Sequence, residues 1–168
     1  MNWKRNVTAF LIISALGTLG HFVYEWSGQN TALGFIFPVN ESVWEHLKLL
    51  FFPTVIYSVF EYFKVKEKYD NYISSVVLSV FYGMLMIVVI YYVSKGLFGR
   101  DVELINISSY YVAVILMLVK QNKILENESF ASRNFKIIFL FLLVAVAFLF
   151  IIWSYKSPMA EIFIPPIP

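Results

Sequence analysis

Five long apolar stretches constrain the fold of this chain more than any other feature of its sequence. An α-helix that crosses the hydrocarbon core of a bilayer needs about 20 mostly apolar residues. Stretches of this kind cover residues 7–26, 43–63, 72–94, 104–119 and 135–155, and the fourth is the shortest. The sequence therefore predicts an all-α fold, a polytopic transmembrane helical bundle of about five spans.

The composition points the same way. The chain is 60% hydrophobic and 14% charged, whereas soluble domains carry about 45–50% apolar and about 25% charged residues. A soluble fold of 168 residues could not cover so much apolar side chain. Because no internal repeat or low-complexity tract stands out, residues 1–168 are predicted to form a single integral membrane domain with the lipid bilayer as its main partner.

Charge and cysteine content exclude several classes of function. The net charge of +2 gives no electrostatic footprint for binding nucleic acid. The absence of cysteine excludes disulfides, thiolate metal sites and cysteine nucleophiles.

At the start of the chain, Lys4 and Arg5 precede an apolar run, as they would in a secretory signal peptide. The run continues to Trp26, which is long enough to span, so we expect a retained first helix.

The distribution of Lys and Arg predicts the orientation of the bundle, because loops on the cytoplasmic side carry an excess of these residues. Nine of them fall on the side of the N-terminus and three on the other side. This bias predicts a cytoplasmic N-terminus, a C-terminus outside and a multi-pass protein of the plasma membrane. The nine are Lys4, Arg5, Lys64, Lys66, Lys68, Lys120, Lys123, Arg133 and Lys136, and the three are Lys95, Arg100 and Lys156.

Titratable side chains gather where the first span ends and the second begins, at the predicted outer face. Such groups are expensive inside a membrane and usually mark a site or a buried pair. His21 and Glu25 are four residues apart and share one face of a helix, as do Glu41, Glu45 and Lys48. The candidate ligand-binding residues are His21, Glu25, Glu41, Glu45, His46 and Lys48. The candidate supporting residues are Tyr24, Asn40, Ser42 and Trp44.

Imidazole nitrogen and carboxylate oxygen are the donors of Zn, Mn and Fe sites. On this basis His21, His46 and Glu45 are candidate ligands of a divalent metal ion, although the sequence contains no complete metal-binding motif. The same groups suit a proton-coupled site or one that binds a polar lipid headgroup.

A purely structural interpretation of the cluster also stays open. Asn40 or Ser42 would make a good N-cap, and the spacing from Ser42 to Glu45 fits a capping box. Glu41 would benefit from the dipole of the second helix. Lys48 would then only neutralise a neighbouring carboxylate.

Two segments of the sequence carry a resemblance to a family signature. They are Gly-His-Phe-Val-Tyr-Glu-Trp-Ser-Gly at residues 20–28 and Pro-Val-Asn-Glu-Ser-Val-Trp-Glu-His-Leu-Lys at residues 38–48. Together with Pro53 they resemble the signature of an uncharacterised family, a domain of unknown function found in small polytopic membrane proteins of bacteria. The resemblance implies a bacterial membrane protein and no particular activity.

Three functions are compatible with these observations. The first is a transport-type or binding protein that takes a cation, a proton or a small polar ligand in an outer-face His/Glu pocket. The second is a membrane-embedded, metal-dependent hydrolase acting on a lipid-type substrate. The third is a structural or accessory membrane subunit, in which the cluster only joins the first two helices. The sequence does not decide whether the protein is an enzyme or whether it forms an oligomer.

Overall fold

The computed structural model describes residues 3–127 and 135–166, and every regular element in these ranges is helical. In chain order the helices are α1 (Trp3–Trp26), α2 (Thr31–Gly34), α3 (Val43–Val65), α4 (Tyr72–Phe98), α5 (Glu103–Leu125) and α6 (Lys136–Tyr155), followed by a short 3-10 helix, Glu161–Phe163. The predicted all-α helical bundle is confirmed. Arg133, which contributed to the predicted charge bias, lies outside the described residues.

Four of the described helices, α1, α4, α5 and α6, are long and apolar enough to cross a membrane. Helix α5 continues to Leu125, six residues beyond the predicted end of the fourth span at residue 119. Its last turns contain Lys120 and Lys123, whose long side chains let a helix continue past the apolar core towards water. The end of the fourth span at residue 119 therefore stays a prediction, because the helix extends beyond it.

Helix α3 is of similar length, 23 residues, but differs in composition from these four. It buries three charged side chains, those of Glu45, Lys48 and Glu61, inside the bundle. At about 1.5 Å per residue it is roughly 34 Å long, which exceeds the hydrocarbon thickness of about 30 Å. A fifth span formed by α3 therefore stays a prediction.

The core lies where α3, α4 and α5 meet. Helix α4 packs most extensively on α5, and α3 packs on both α1 and α4. Leu50, Val80 and Val114 have no measurable exposure at this contact. Helix α6 covers one side of the bundle and turns most of its side chains outwards, with Phe150 the one fully buried residue among them. Such an apolar outer surface suits contact with lipid.

Helices α1 and α3 approach closely at Gly17. A Cβ atom placed on Gly17 would overlap the Tyr110 hydroxyl and would lie 2.6 Å from the backbone oxygen of Leu49. That oxygen has no helical hydrogen-bond partner, because Pro53 occupies the position whose N–H would reach it. The Tyr110 hydroxyl instead lies 3.3 Å from the Leu49 oxygen and 2.9 Å from the Ile13 oxygen. One hydroxyl therefore joins three helices at this point.

Candidate functional site

The connection between α1 and α3 brings the ends of these helices together. Gly28 and Gln29 adopt positive φ angles of 68° and 62°, which turn the chain sharply after α1. Asn30 then caps the single turn of α2 by accepting a hydrogen bond from the Ala32 N–H at 2.9 Å. The connection folds back against α1, where a Cβ on Gly20 would lie 3.1 Å from the Phe37 ring.

The start of α3 is fixed by two side-chain caps. The Asn40 side-chain oxygen accepts from the Ser42 N–H at 2.9 Å, and the Ser42 hydroxyl accepts from the Glu45 N–H at 3.4 Å. Ser42 is therefore the N-cap residue, one of the two that the sequence offered. Glu41 precedes the helix, so its side chain does not follow the helical spacing, whereas His46 lies in the first turns.

Three side chains converge at this end of the bundle. His46 Nε2 lies 3.3 Å from His21 Nε2. Glu41 Oε2 lies 3.5 Å from His21 Nε2 and 3.4 Å from His46 Nε2. The two imidazoles and the carboxylate thus form a nearly equilateral triangle of donor atoms, which we call the His–Glu triangle.

The dimensions of the His–Glu triangle match a tetrahedral metal site. With metal–ligand distances of about 2.0–2.1 Å, tetrahedral geometry sets the ligand atoms roughly 3.3–3.4 Å apart. The three observed edges of 3.3, 3.4 and 3.5 Å lie close to that value. Among the described residues, these three form the one group of His, Asp and Glu side chains close enough to hold a metal ion.

A backbone contact sets the tautomer of neutral His46. Its Nδ1 atom lies 2.9 Å from the backbone oxygen of Ser42. Since a carbonyl oxygen only accepts, Nδ1 must carry the hydrogen, and Nε2 of the neutral ring then presents a lone pair towards the triangle. Many metal-binding histidines are oriented by a contact of this type. Ser42 thus supports the site through its backbone as well as by capping α3.

The His–Glu triangle is accessible from outside the bundle. The His21 and His46 side chains are about one-third exposed, at 31% and 32%, and that of Glu41 is 62% exposed. When the imidazoles are protonated, hydrogen bonds from His21 and then His46 hold the pKa of Glu41 well below its usual range, and the charges of the two rings act in the same direction. The carboxylate is therefore ionised and ready to bind a cation.

A cavity of about 340 Å³ opens beside the triangle. His21, Glu25 and Glu41 line it together with Tyr24 and Asn40. Glu25 lies one turn beyond His21 on α1 and faces the same space. The cavity therefore contains a second carboxylate besides that of Glu41.

Glu45 and Lys48, predicted as ligand-binding residues, belong to a different arrangement. Lys48 Nζ donates to Glu45 Oε2 at 2.8 Å, to the Gly34 oxygen at 2.8 Å and to the Ser154 hydroxyl at 2.6 Å. Ser154 donates to Glu45 Oε1 at 2.8 Å, and the Val39 N–H donates to Glu45 Oε2 at 2.9 Å. The side chains of Lys48 and Glu45 are 0% and 1% exposed.

This buried network ties the connection and α6 to α3. Every donor and acceptor in it has a partner, as a buried ion pair requires. The structure therefore differs from the sequence-based assignment of Glu45 as a metal ligand, because the carboxylate that meets the imidazoles is that of Glu41. Ser154 gave no signal in the sequence, since it is an ordinary serine near the end of an apolar helix.

Of the remaining supporting residues, Trp44 does not reach the His–Glu triangle. Its ring packs against those of Phe150, Trp153 and Phe163, with centroids 4.7, 5.0 and 5.1 Å away. It holds the end of α6 and the 3-10 helix against α3. Tyr24 and Asn40 line the cavity beside the triangle, as described above.

The protein is thus an all-helical bundle in which four helices are long and apolar enough to cross a membrane, and a His/Glu cluster lies at one end of it. The chain belongs to a family of unknown function, DUF6512, which it matches over residues 2–167. This assignment agrees with the resemblance to an uncharacterised family seen in the sequence. No curated protein and no solved structure shows significant similarity to the chain.

Proposed function

We propose that this protein is a multi-pass membrane protein that binds a divalent transition-metal ion, with zinc as the best fit, through His21, Glu41 and His46. The observation that carries the proposal is the His–Glu triangle, whose edges of 3.3–3.5 Å are those of three ligands on a tetrahedral ion. In the orientation predicted from the Lys and Arg bias, the site faces the outside of a bacterial plasma membrane.

The donor set favours zinc over magnesium or calcium. Two imidazole nitrogens and one carboxylate oxygen suit zinc and neighbouring transition metals, whereas magnesium and calcium prefer oxygen ligands alone. The His46 lone pair is already directed at the site through the contact with Ser42. The ionised Glu41 supplies a negative charge that partly balances the cation.

Three protein ligands leave a fourth tetrahedral position for a water molecule or a small polar ligand. Structural zinc sites usually close all four positions with protein groups, and open sites are those that exchange ligands or catalyse reactions. The cavity of about 340 Å³ beside the triangle offers room for such a ligand. We therefore favour a binding or transport-type role at this site over a purely structural one.

A metal-dependent hydrolase is the second candidate, and the position of Glu25 supports it. A metal ion lowers the pKa of a bound water to about 7, and a nearby carboxylate can accept the proton. Glu25 lines the same cavity as His21 and Glu41 but is not one of the triangle's three donors. A substrate of lipid type would reach a site at the end of the bundle from the membrane surface.

Metal analysis of purified protein tests the proposal directly. Wild-type protein loaded with zinc and dialysed should retain about one equivalent, and it should unfold at a higher temperature than protein treated with a chelator. His21→Ala and His46→Ala should each weaken zinc binding by about tenfold or more, which corresponds to at least about 1.4 kcal/mol.

Glu161→Gln is the matched control. Its carboxylate is 62% exposed, as that of Glu41 is, but it pairs with Lys95 and not with the imidazoles. The control should bind zinc like wild type. Retention of zinc by both histidine variants, or its absence from wild type, would overturn the proposal and leave the cluster a structural contact between α1 and α3.

The hydrolase role has a separate test. Glu25→Gln should keep the metal and lose hydrolysis of a lipid-type ester. A wild-type protein that binds zinc but hydrolyses no such ester would favour the binding role.

A further inference from the structure

A second cavity lies between α1 and α3 at the end of the bundle away from the His–Glu triangle. Its volume is about 500 Å³. Its floor is apolar, and two lysines, Lys4 and Lys64, line it from opposite helices. The apolar residues that line this groove are Ile12, Leu16, Ile56, Phe60 and Val65.

The groove has a net positive charge at the end formed by Lys4 and Lys64. The one acidic residue in its lining, Glu61, is 6% exposed and accepts hydrogen bonds from Tyr72 at 2.7 Å and Tyr57 at 3.1 Å. Arg5 Nε lies 3.3 Å from the same carboxylate and balances its charge. Lys4 and Lys64 form no hydrogen bond or ion pair with the residues that the structure describes, so their charges face the groove uncompensated.

The length of the groove matches one leaflet of a bilayer. Lys4 and Leu16 are twelve residues apart on α1, a distance of about 18 Å along a helix axis. Half of the hydrocarbon core is about 15 Å thick. An occupant that reaches from Lys4 to Leu16 would therefore extend from the headgroup region to the middle of the membrane.

We propose that this groove binds an anionic phospholipid, with its phosphate between Lys4 and Lys64 and an acyl chain along the apolar floor. The positive end selects an anionic headgroup, and basic pockets between helices at the cytoplasmic face are suited to such lipids. The acyl chain of the same lipid can pack on exposed apolar side chains, since Ile12, Leu16 and Ile56 are 40%, 39% and 47% exposed. This site is independent of the metal site.

Lipid binding can be measured on the full chain in detergent by native mass spectrometry, with phosphatidylglycerol and phosphatidylcholine as probes. Wild type should bind phosphatidylglycerol more tightly than phosphatidylcholine. The double variant Lys4→Gln/Lys64→Gln should bind phosphatidylglycerol on the order of thirtyfold more weakly, which corresponds to about 2 kcal/mol, and should bind phosphatidylcholine unchanged.

Lys120→Gln/Lys123→Gln is the matched control, because it removes two exposed lysines from the same side of the predicted bundle but outside the groove. It should keep wild-type affinity for phosphatidylglycerol. Ile56→Trp, which fills the apolar floor, should weaken binding of phosphatidylglycerol without changing any charge. Equal affinity of wild type for the two lipids, or equal losses in the two double-lysine variants, would overturn the proposal.

Discussion

The Nε2 atoms of His21 and His46 lie 3.3 Å apart, although 25 positions separate these residues in the chain. The two imidazoles come from antiparallel neighbours, α1 and α3, and both contact Glu41. Two ring nitrogens at this distance can be joined by a proton or by a metal ion. In the neutral form of His46, the Ser42 contact leaves Nε2 unprotonated. The Glu41 carboxylate adds a third donor atom.

The roles of Glu41 and Glu45 can be separated by matched substitutions. Because Glu41 is 62% exposed, Glu41→Gln should change the stability of the metal-free protein by only about 0.5 kcal/mol or less, while weakening zinc binding by about tenfold. Glu45→Gln should destabilise the fold and leave the zinc affinity of the folded protein unchanged. Unfolding and zinc titrations of both variants check this, and the reverse pattern would show that Glu45 is the ligand.

Lys48→Met should be strongly destabilising. The substitution leaves the Glu45 carboxylate buried without its cation, a change that typically costs about 3–5 kcal/mol. It also removes the donor to the Gly34 and Phe37 backbone oxygens. Lys123→Met, at an exposed position, should have little effect. Equal stability of the two variants in denaturant unfolding would show that the buried network does not hold the connection in place.

Gly17→Ala should destabilise the contact between α1 and α3. The added methyl group would overlap the Tyr110 hydroxyl and press on the Leu49 oxygen, and overpacking of this kind costs about 1–3 kcal/mol. Gly96→Ala is the control, since nothing lies within 4 Å of a Cβ at that position. In a helix the control should be neutral or stabilising by up to about 1 kcal/mol. In thermal unfolding only Gly17→Ala should therefore lower the midpoint, and an equal loss in both variants would contradict the close contact at Gly17.

The Tyr110 hydroxyl should matter because Pro53 leaves the Leu49 oxygen without a helical partner. Tyr110→Phe should cost about 1–3 kcal/mol, the usual penalty for an unsatisfied buried acceptor. In a Pro53→Ala background the helix can supply the missing N–H, so the same substitution should cost less. A double-mutant cycle measures this coupling, and strictly additive effects would contradict it.

The helices could be predicted from the sequence because each long apolar run has the length that a bilayer imposes. The meeting of His21 and His46 was also predictable, since a short connection places the end of α1 and the start of α3 at one end of the bundle. Which of the two carboxylates, Glu41 or Glu45, contacts the imidazoles could not be predicted. Helical spacing placed both on one face, but the caps of Asn40 and Ser42 start the helix after Glu41, whose side chain then points towards the imidazoles.

The partner of Glu45 could not be found from local pattern either. Ser154 is 109 positions away, and its place against α3 depends on how α6 packs, partly through the ring of Trp44 on Phe150. Periodicity describes which face of a helix is polar but does not say which helix will cover it. The groove between α1 and α3 could not be predicted from the sequence for the same reason.

X-ray absorption spectroscopy at the zinc edge is the most direct test of the central claim. Zinc-loaded protein should show nitrogen and oxygen ligands at about 2.0–2.1 Å, with the outer-atom scattering of two imidazole rings. His46→Ala should reduce this signal to one ring. A spectrum without imidazole scattering, or a spectrum unchanged in His46→Ala, would contradict a metal site formed by His21, Glu41 and His46.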